Sequence, residues 1–367
     1  MSHLFSALRL RGVTLANRIG VSRMCQYSCE DGLANDWHFA HLAARAAGGA
    51  GVVFTEAAAV SPEGRISPQD LGVWSDKHFE PLERTARFIK GQGAVADVQL
   101  AHAGRKASVY RPWSGQGSIP VAEGGWRTVA PSPLSFGKGF APPEELSVDR
   151  ILALKQAFTT AAKRAHAAGF QVIEVHAAHG YLVHQFLSPL SNRRTDAYGG
   201  SFDNRTRFLR ECVGAIRSAL PDHCPLFVRI SATDWTDGGW DLEQSIELSR
   251  SLKSLGVDVV DCSSGGNVEN AKIPIGPGYQ VPFAERIRRE AGVATAAIGM
   301  ISAPAQADQI ISNGQADIAL LARELLRDPY WPLRAARELG EPMSWPAQYL
   351  RAAPRDSPVR VAAHEFD

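Results

Sequence analysis

Cysteine is scarce in this chain. Its five cysteines (Cys25, Cys29, Cys212, Cys224, Cys262) among 367 residues are an odd number without the crowded spacing of a disulfide-stapled domain. Reduced thiols in a cytoplasmic protein are the expectation. No two cysteines stand in C-x-x-C spacing, so neither a structural zinc site nor any other metal is expected. An excess of one charge is missing too. Thirty-nine basic against 38 acidic residues leave a formal net charge of +1, which removes the electrostatic case for nucleic acid or an anionic membrane surface. No apolar run approaches the roughly 20 residues that span a bilayer. The opening Met-Ser-His-Leu-Phe-Ser has neither a basic start nor an apolar core, so no secretory signal is expected. A dinucleotide fingerprint is absent as well, because Gly91-Gln-Gly93 precedes a strand pattern rather than opening a helix after one.

What is present is alternation. Short apolar runs occur at 18–22, 51–55, 95–100, 172–175, 226–230, 257–262, 294–298 and 318–321. Helical patterns lie between them, including Asp36–Ala47, Asp149–Ala168, Phe202–Ala219 and Leu242–Leu255. Strand–helix alternation predicts a parallel sheet, and eight units predict closure into a (β/α)8 TIM barrel, with an open doubly wound sheet as the alternative. Such barrels reach this length as one domain. The expectation is one barrel over residues 1–353, followed by a tail over 354–367. Between the third and fourth strands, residues 105–146 are rich in Gly, Pro, Ser and Trp without helical period, which reads as a lid.

Chemistry concentrates in His176-Ala-Ala-His-Gly-Tyr-Leu182, directly after the apolar run Val172–Val175. Two imidazoles and a phenol emerging together at a strand end can hydrogen-bond one substrate oxygen and deliver one proton. That set suits a conjugated carbonyl better than nucleophilic attack. An isolated H-x-x-H also fits a metal pair or two core histidines. In a TIM barrel the chemistry sits at the C-terminal ends of the strands. There stand Ser22–Tyr27, Glu56-Ala57, Gln99–His102, Arg229, Ser263–Gly266, Gly299-Met300 and Ala322-Arg323. The last two ends suit a phosphate: Gly299 permits close backbone approach, and Arg323 offers a planar fork at the start of a helix.

The motifs Met24-Cys-Gln-Tyr27, Gln99–Lys106, His176–Leu182, Ser188–Ser201 and Arg323–Pro329 resemble the Old Yellow Enzyme family of flavin-dependent ene-reductases, in its thermophilic-type bacterial branch. The resemblance runs from Leu4 to about Arg351. It implies FMN, bound non-covalently across the barrel mouth and reduced by NADPH or NADH. Ser22, Arg23, Met24 and Cys25 match positions near the pyrimidine and N5 side. Ala57 and Gln99 match the ring's polar edge, and Arg229 the N1/O2 locus. Gly299, Met300, Ala322 and Arg323 match the phosphate site. The implied reaction is ping-pong reduction of an activated C=C bond in an enone, with quinones and nitro compounds as further substrates. His176 and His179 then hold the substrate carbonyl, Tyr181 is the proton donor, Tyr27 reaches the substrate, and Cys25 adjusts the flavin. Arg351 matches an arginine inserted into the pocket of a neighbouring subunit, which implies a homodimer or a tetramer built from dimers.

Two positions depart from the family pattern. Arg23 stands where proline is common, with its side chain either beside the flavin or turned away. Ala322 stands where glycine is common. The alternatives carried alongside are a non-catalytic barrel for a phosphorylated ligand, and a flavin-dependent demethylase or dienoyl-CoA reductase relative. Those relatives add an iron–sulfur domain with clustered cysteines, which this chain lacks.

Overall fold

In the computed structural model, which describes residues 2–354 and the strand Val359–Arg360, eight parallel strands close into a barrel. They are β1 (Ile19–Val21), β2 (Val52–Ala59), β3 (Val95–Ala101), β4 (Val172–Ala177), β5 (Leu226–Ser231), β6 (Val259–Ser263), β7 (Ala294–Ala297) and β8 (Ile318–Leu321). Each pairs with the next, and β8 returns to β1 through Leu320 and Gly20, so no strand edge stays open. This is the (β/α)8 fold expected from the alternation. Apart from Val359–Arg360, the expected tail beyond 354 lies outside the described residues.

Every residue of β2, β3 and β4 is buried, because a parallel strand in a barrel is covered on both faces. That is the physical reason the strands read as continuous apolar runs. β2 extends to Ala59, past the expected Thr55, through a bulge between Phe54 and Ala57. The surrounding helices are α1 (Asp36–Ala47), α2 (Phe79–Gly91), α3 (Val148–Ala167), α4 (Phe202–Ala219), α5 (Leu242–Ser254), α6 (Val281–Ala291), α7 (Pro304–Ser312) and α8 (Trp331–Glu338). Side chains cap the first turns where the loops hand over to α3, α4 and α5. Ser147, Ser201 and Asp241 accept from the main-chain N–H of Arg150, Asn204 and Gln244. Each cap contributes about 1 kcal/mol.

The barrel floor is apolar. Val52, Phe54, Val95, Val172, Phe227, Val259 and Ile318 fill it, and the hairpin Leu8–Leu10/Val13–Leu15 plugs it from below with Leu10, Val13 and Leu15. Burying a side chain of this size contributes about 1.5–3 kcal/mol. One layer higher the interior changes character, with Asp97, Glu174, Arg229 and Asp261 pointing inward from β3 to β6. The long excursion after β3 carries two 3-10 turns and a pair of two-residue strands, Val129–Ala130 and Glu144–Glu145. Arg105 ties it to the loop after β6: Nη2 donates to Asn267 O (2.8 Å), while Nη1 reaches Leu134 O (3.3 Å). Among the described residues, no helix is long and apolar enough to cross a membrane.

Candidate active site

At the end of β4 the chain turns sharply, with His179 at φ +58° and Gly180 at +70°. A Cβ on Gly180 would lie 2.3 Å from Gly266 O, and one on Gly266 2.7 Å from His179 Cα. Only glycines let the loops after β4 and β6 approach this closely. The turn brings His176 and His179 together. Ala178 N donates to His176 Nδ1 (3.2 Å), which leaves that ring's proton on Nε2. His176 Nε2 faces His179 Nδ1 at 3.4 Å, and His179 Nε2 lies 2.7 Å from Ser263 Oγ. The Tyr181 ring stands edge-on to His176 with centroids 5.0 Å apart. Lys106 donates to His179 O (2.8 Å) and Gly266 O (2.9 Å), and its Nζ lies 5.2 Å from the Tyr181 ring centre.

Burial, and then the Arg229 charge, hold both histidines well below the ordinary imidazole range, so both are neutral. Burial, followed by Cys25 and Tyr27, pushes the Tyr181 phenol well up and keeps its proton in place. Burial and then Arg105 bring Lys106 down to about 8.

The loops after β1, β2 and β3 supply the next group. Ser22 N donates to Leu321 O (2.9 Å), so its buried hydroxyl sits where β1 and β8 meet. Met24 packs partly buried against the core. Cys25, Tyr27 and Tyr181 pack in one small apolar cluster with Trp126. Burial, then Asp70 and Glu56, keep the Cys25 thiol protonated, and Ala57 N–H reaches its sulfur. Ala57 follows the β2 bulge opposite Gln99, whose Nε2 donates to Glu174 Oε1 (2.6 Å). Arg229 lies in register with His176 on one side and Asp261 on the other. Its Nε is 3.1 Å from Asp261 Oδ2, an ion-pair contact whose direction leaves that N–H without an aligned acceptor. The Arg23 side chain is turned away from the mouth. Its guanidinium enters the barrel to meet Glu174 and Asp261, so only its main chain is left to face a cofactor.

On the opposite side a cleft of about 420 Å³ opens between β6, β7 and β8, lined by Ser263, Tyr279, Gln280, Gly299, Met300 and Arg323 among others. Gly299 adopts φ +124° against Gln280, and Ala322 sits at φ −107° just before Arg323, which is exposed. The helix expected there runs only from Arg323 to Arg327, so the Arg323 side chain matters more than the helix end. Ser263 touches both His179 and this cleft, which joins the two sides. Arg351 is exposed on the turn Ala347–Ala352, where Tyr349 meets Tyr330.

Three mouth residues, Tyr27, His179 and Met300, hold φ between +49° and +58°, a conformation costing about 1–3 kcal/mol in non-glycine residues and concentrated at functional sites. Reading the sequence placed Ser263 at a strand end and Lys106 within a motif but gave neither a role, and it missed the three interior carboxylates. A signal for two of these existed, since Asp97 and Glu174 interrupt otherwise apolar strands.

The mouth suits a flavin mononucleotide. Ser22 Oγ, a buried polar atom at the mouth, finds no hydrogen-bond partner in the chain, as expected of a group that meets a polar ring edge. Amide, guanidinium and hydroxyl groups gather at one end of the cleft, and a glycine turn with an exposed arginine at the other.

Comparison with known proteins agrees. The family model described as NADH:flavin oxidoreductase / NADH oxidase matches residues 3–341. An NADPH dehydrogenase of Halalkalibacterium halodurans is 48% identical over 355 residues, 96% of this chain and 99% of that protein. The NADPH dehydrogenase of Bacillus subtilis is 47% identical over 350 residues, 95% and 98% of the two chains. Among solved structures, morphinone reductase is 25% identical with a TM-score of 0.76, over 93% of this chain and 90% of its own. A 2-naphthoyl-CoA reductase complex is also 25% identical, with a TM-score of 0.84 over 92% of this chain and 52% of that longer one.

Proposed function

Because this chain belongs to the NADH:flavin oxidoreductase / NADH oxidase family, the Old Yellow Enzymes, and is an oxidoreductase, we propose that it uses FMN and NADPH to reduce activated C=C bonds of α,β-unsaturated carbonyl compounds. FMN, when bound, supplies a two-electron carrier between the nicotinamide and the substrate. Ser22, Gln99, Arg229 and the main chain of Arg23 to Cys25 and of Ala57 would hold its ring. Gly299, Met300, Ala322 and Arg323 would hold its phosphate.

The observation that carries this reading is the pair of neutral, facing imidazoles beside a protonated phenol. As an enone is reduced, negative charge grows on its carbonyl oxygen. His176 already presents Nε2–H. His179 presents Nδ1–H once the Ser263 hydroxyl donates to its Nε2 rather than accepting from it. Both protons then point at one oxygen, where a single donor is worth about 10²–10³ in turnover. Being neutral, the rings donate without giving a proton away. Tyr181 keeps its proton until the substrate's α-carbon takes it, a general-acid contribution of about 10²–10⁴. Lys106 fixes the turn that carries both groups, through its two carbonyl contacts. The site is completed by a second copy of the chain, whose exposed Arg351 closes over the substrate side. Ending the chain after Trp345 then raises KM and loosens the dimer with FMN still bound.

The test is spectroscopic. Purified protein should be yellow, bleach with NADPH without oxygen, and recover its colour on adding 2-cyclohexenone. Bleaching that no enone, quinone or nitro compound reverses would sink the ene-reductase reading. A colourless protein that NADPH leaves unchanged would favour a binding barrel.

A further inference from the structure

Beneath the mouth lies a sealed layer of five ionisable groups. Asp97, Glu174, Arg229 and Asp261 enter it from four neighbouring strands, and Arg23 reaches down to it from the loop after β1. The Arg23 side chain is 2% exposed; those of Glu174 and Asp261 are completely buried. One arm of its guanidinium meets Glu174 Oε2 and the other Asp261 Oδ2, while its central carbon lies 3.3 Å from the Phe54 ring centre. The other Glu174 oxygen accepts from Gln99, and Asp261 Oδ2 also contacts Arg229. Neither Asp97 oxygen has a hydrogen-bond partner.

Three carboxylates against two guanidiniums would leave a net negative charge in a dry interior, which is costly. One proton removes the imbalance, and Asp97, the one carboxyl of the three that no guanidinium or amide meets, is the group placed to carry it. Two positive and two negative charges then remain. Gln99 and Arg229 are the two side chains placed toward the polar edge of the ring. Each is gripped from below by a carboxylate that Arg23 also grips: Gln99 through Glu174, Arg229 through Asp261.

We propose that Arg23 is a positioning residue of the flavin site, aiming Gln99 and Arg229 through their carboxylates and supplying the second buried positive charge beneath the ring; this rests on the flavin reading above. Without Arg23, Glu174 and Asp261 draw on the single remaining guanidinium. Arg229 is pulled down from the mouth, and uncompensated negative charge opposes electron uptake by the ring.

The experiment compares Arg23→Met, Arg23→Lys and Glu174→Gln with the wild type as FMN-loaded proteins. It measures the flavin midpoint potential at pH 8.5, where freed carboxylates carry most charge, together with FMN affinity and melting temperature. Arg23→Met should lower the reduced-to-oxidised ratio at a fixed poise about tenfold, ~30 mV for a two-electron couple. It should also weaken FMN binding several-fold. Arg23→Lys, which keeps the charge but loses the fork, should recover most of the potential and less of the affinity. If Arg23→Met fails to fold, Glu174→Gln carries the test with opposite sign, since it leaves the layer positive and should raise the ratio. A lower melting temperature with unmoved potential and affinity makes Arg23 a mere strut and overturns the proposal. A potential unmoved in Glu174→Gln overturns it equally. A wild-type protein that binds no FMN overturns the flavin reading itself, a different result from any of these.

Discussion

On the β7–β8 side of the mouth, Gly299, Met300 and Ala322 offer main chain to an open cleft, and Arg323 stands in solvent. On the β3–β6 side, Gln99, His176 and Arg229 are buried side chains locked to Glu174, His179 and Asp261 by contacts of 2.6–3.4 Å. Main chain can hold an anion whatever its side chains are, provided the backbone keeps its conformation. Buried side chains cannot exchange partners without stranding a polar group, at about 1–3 kcal/mol each. The first side is suited to holding a phosphate and the second to holding a ring and acting on a substrate, so substitutions at Arg323 and at His176 or Tyr181 should separate FMN affinity from turnover.

The largest effect should come from the side-chain half. Tyr181→Phe should slow enone reduction by about 10²–10⁴ while flavin reduction by NADPH, followed by stopped-flow, stays close to wild type. Equal loss in both half-reactions would remove the proton-donor role and blur the contrast between the sides. His176→Ala should cost about 10²–10³ in enone turnover and weaken phenols that mimic the enolate. Phenol affinity untouched by this change would mean that the imidazoles do not hold the oxygen.

On the other side, Arg323→Ala should weaken FMN by about 10–100-fold, the range of a hydrogen bond to a charged group. Turnover at saturating FMN should be nearly unchanged. A loss of turnover that added FMN cannot restore would show that the two sides are not separable.

The smallest effect concerns the floor of the chemical side. Burial first, and then the Glu174 charge, raise Asp97 well above the ordinary carboxyl value. A carboxyl raised in the folded state contributes stability below its unfolded value of about 3.9, and this is lost as pH rises toward the folded value. Asn, shaped like the protonated acid, escapes that loss. The melting-temperature advantage of Asp97→Asn over wild type should therefore grow by about 2 °C or more between pH 5 and pH 8. No difference between the two pH values would place a charged carboxylate at Asp97.

The eight strands were legible because a barrel strand is buried on both faces and must be apolar throughout. α1, α3, α4 and α5 were legible because their apolar faces recur at helical spacing. Other helices were not. α6, α7 and α8 carry proline in their first turn, where the missing N–H costs nothing, yet proline read alone suggests a break. The His176–Tyr181 group could be read directly because one strand end carries all of it.

The sequence by itself determined the barrel, the strand ends that meet at its mouth, and the resemblance to flavin enzymes, since each depends on local spacing or contiguous motifs. Only the tertiary structure decided where Arg23 points, which hydroxyl faces His179, and which carboxylates lie beneath the mouth. Arg23 meets partners 151 and 238 residues away, and His179 meets one 84 residues away. Barrel closure brings such residues together, and neighbours along the chain carry no trace of partners that distant.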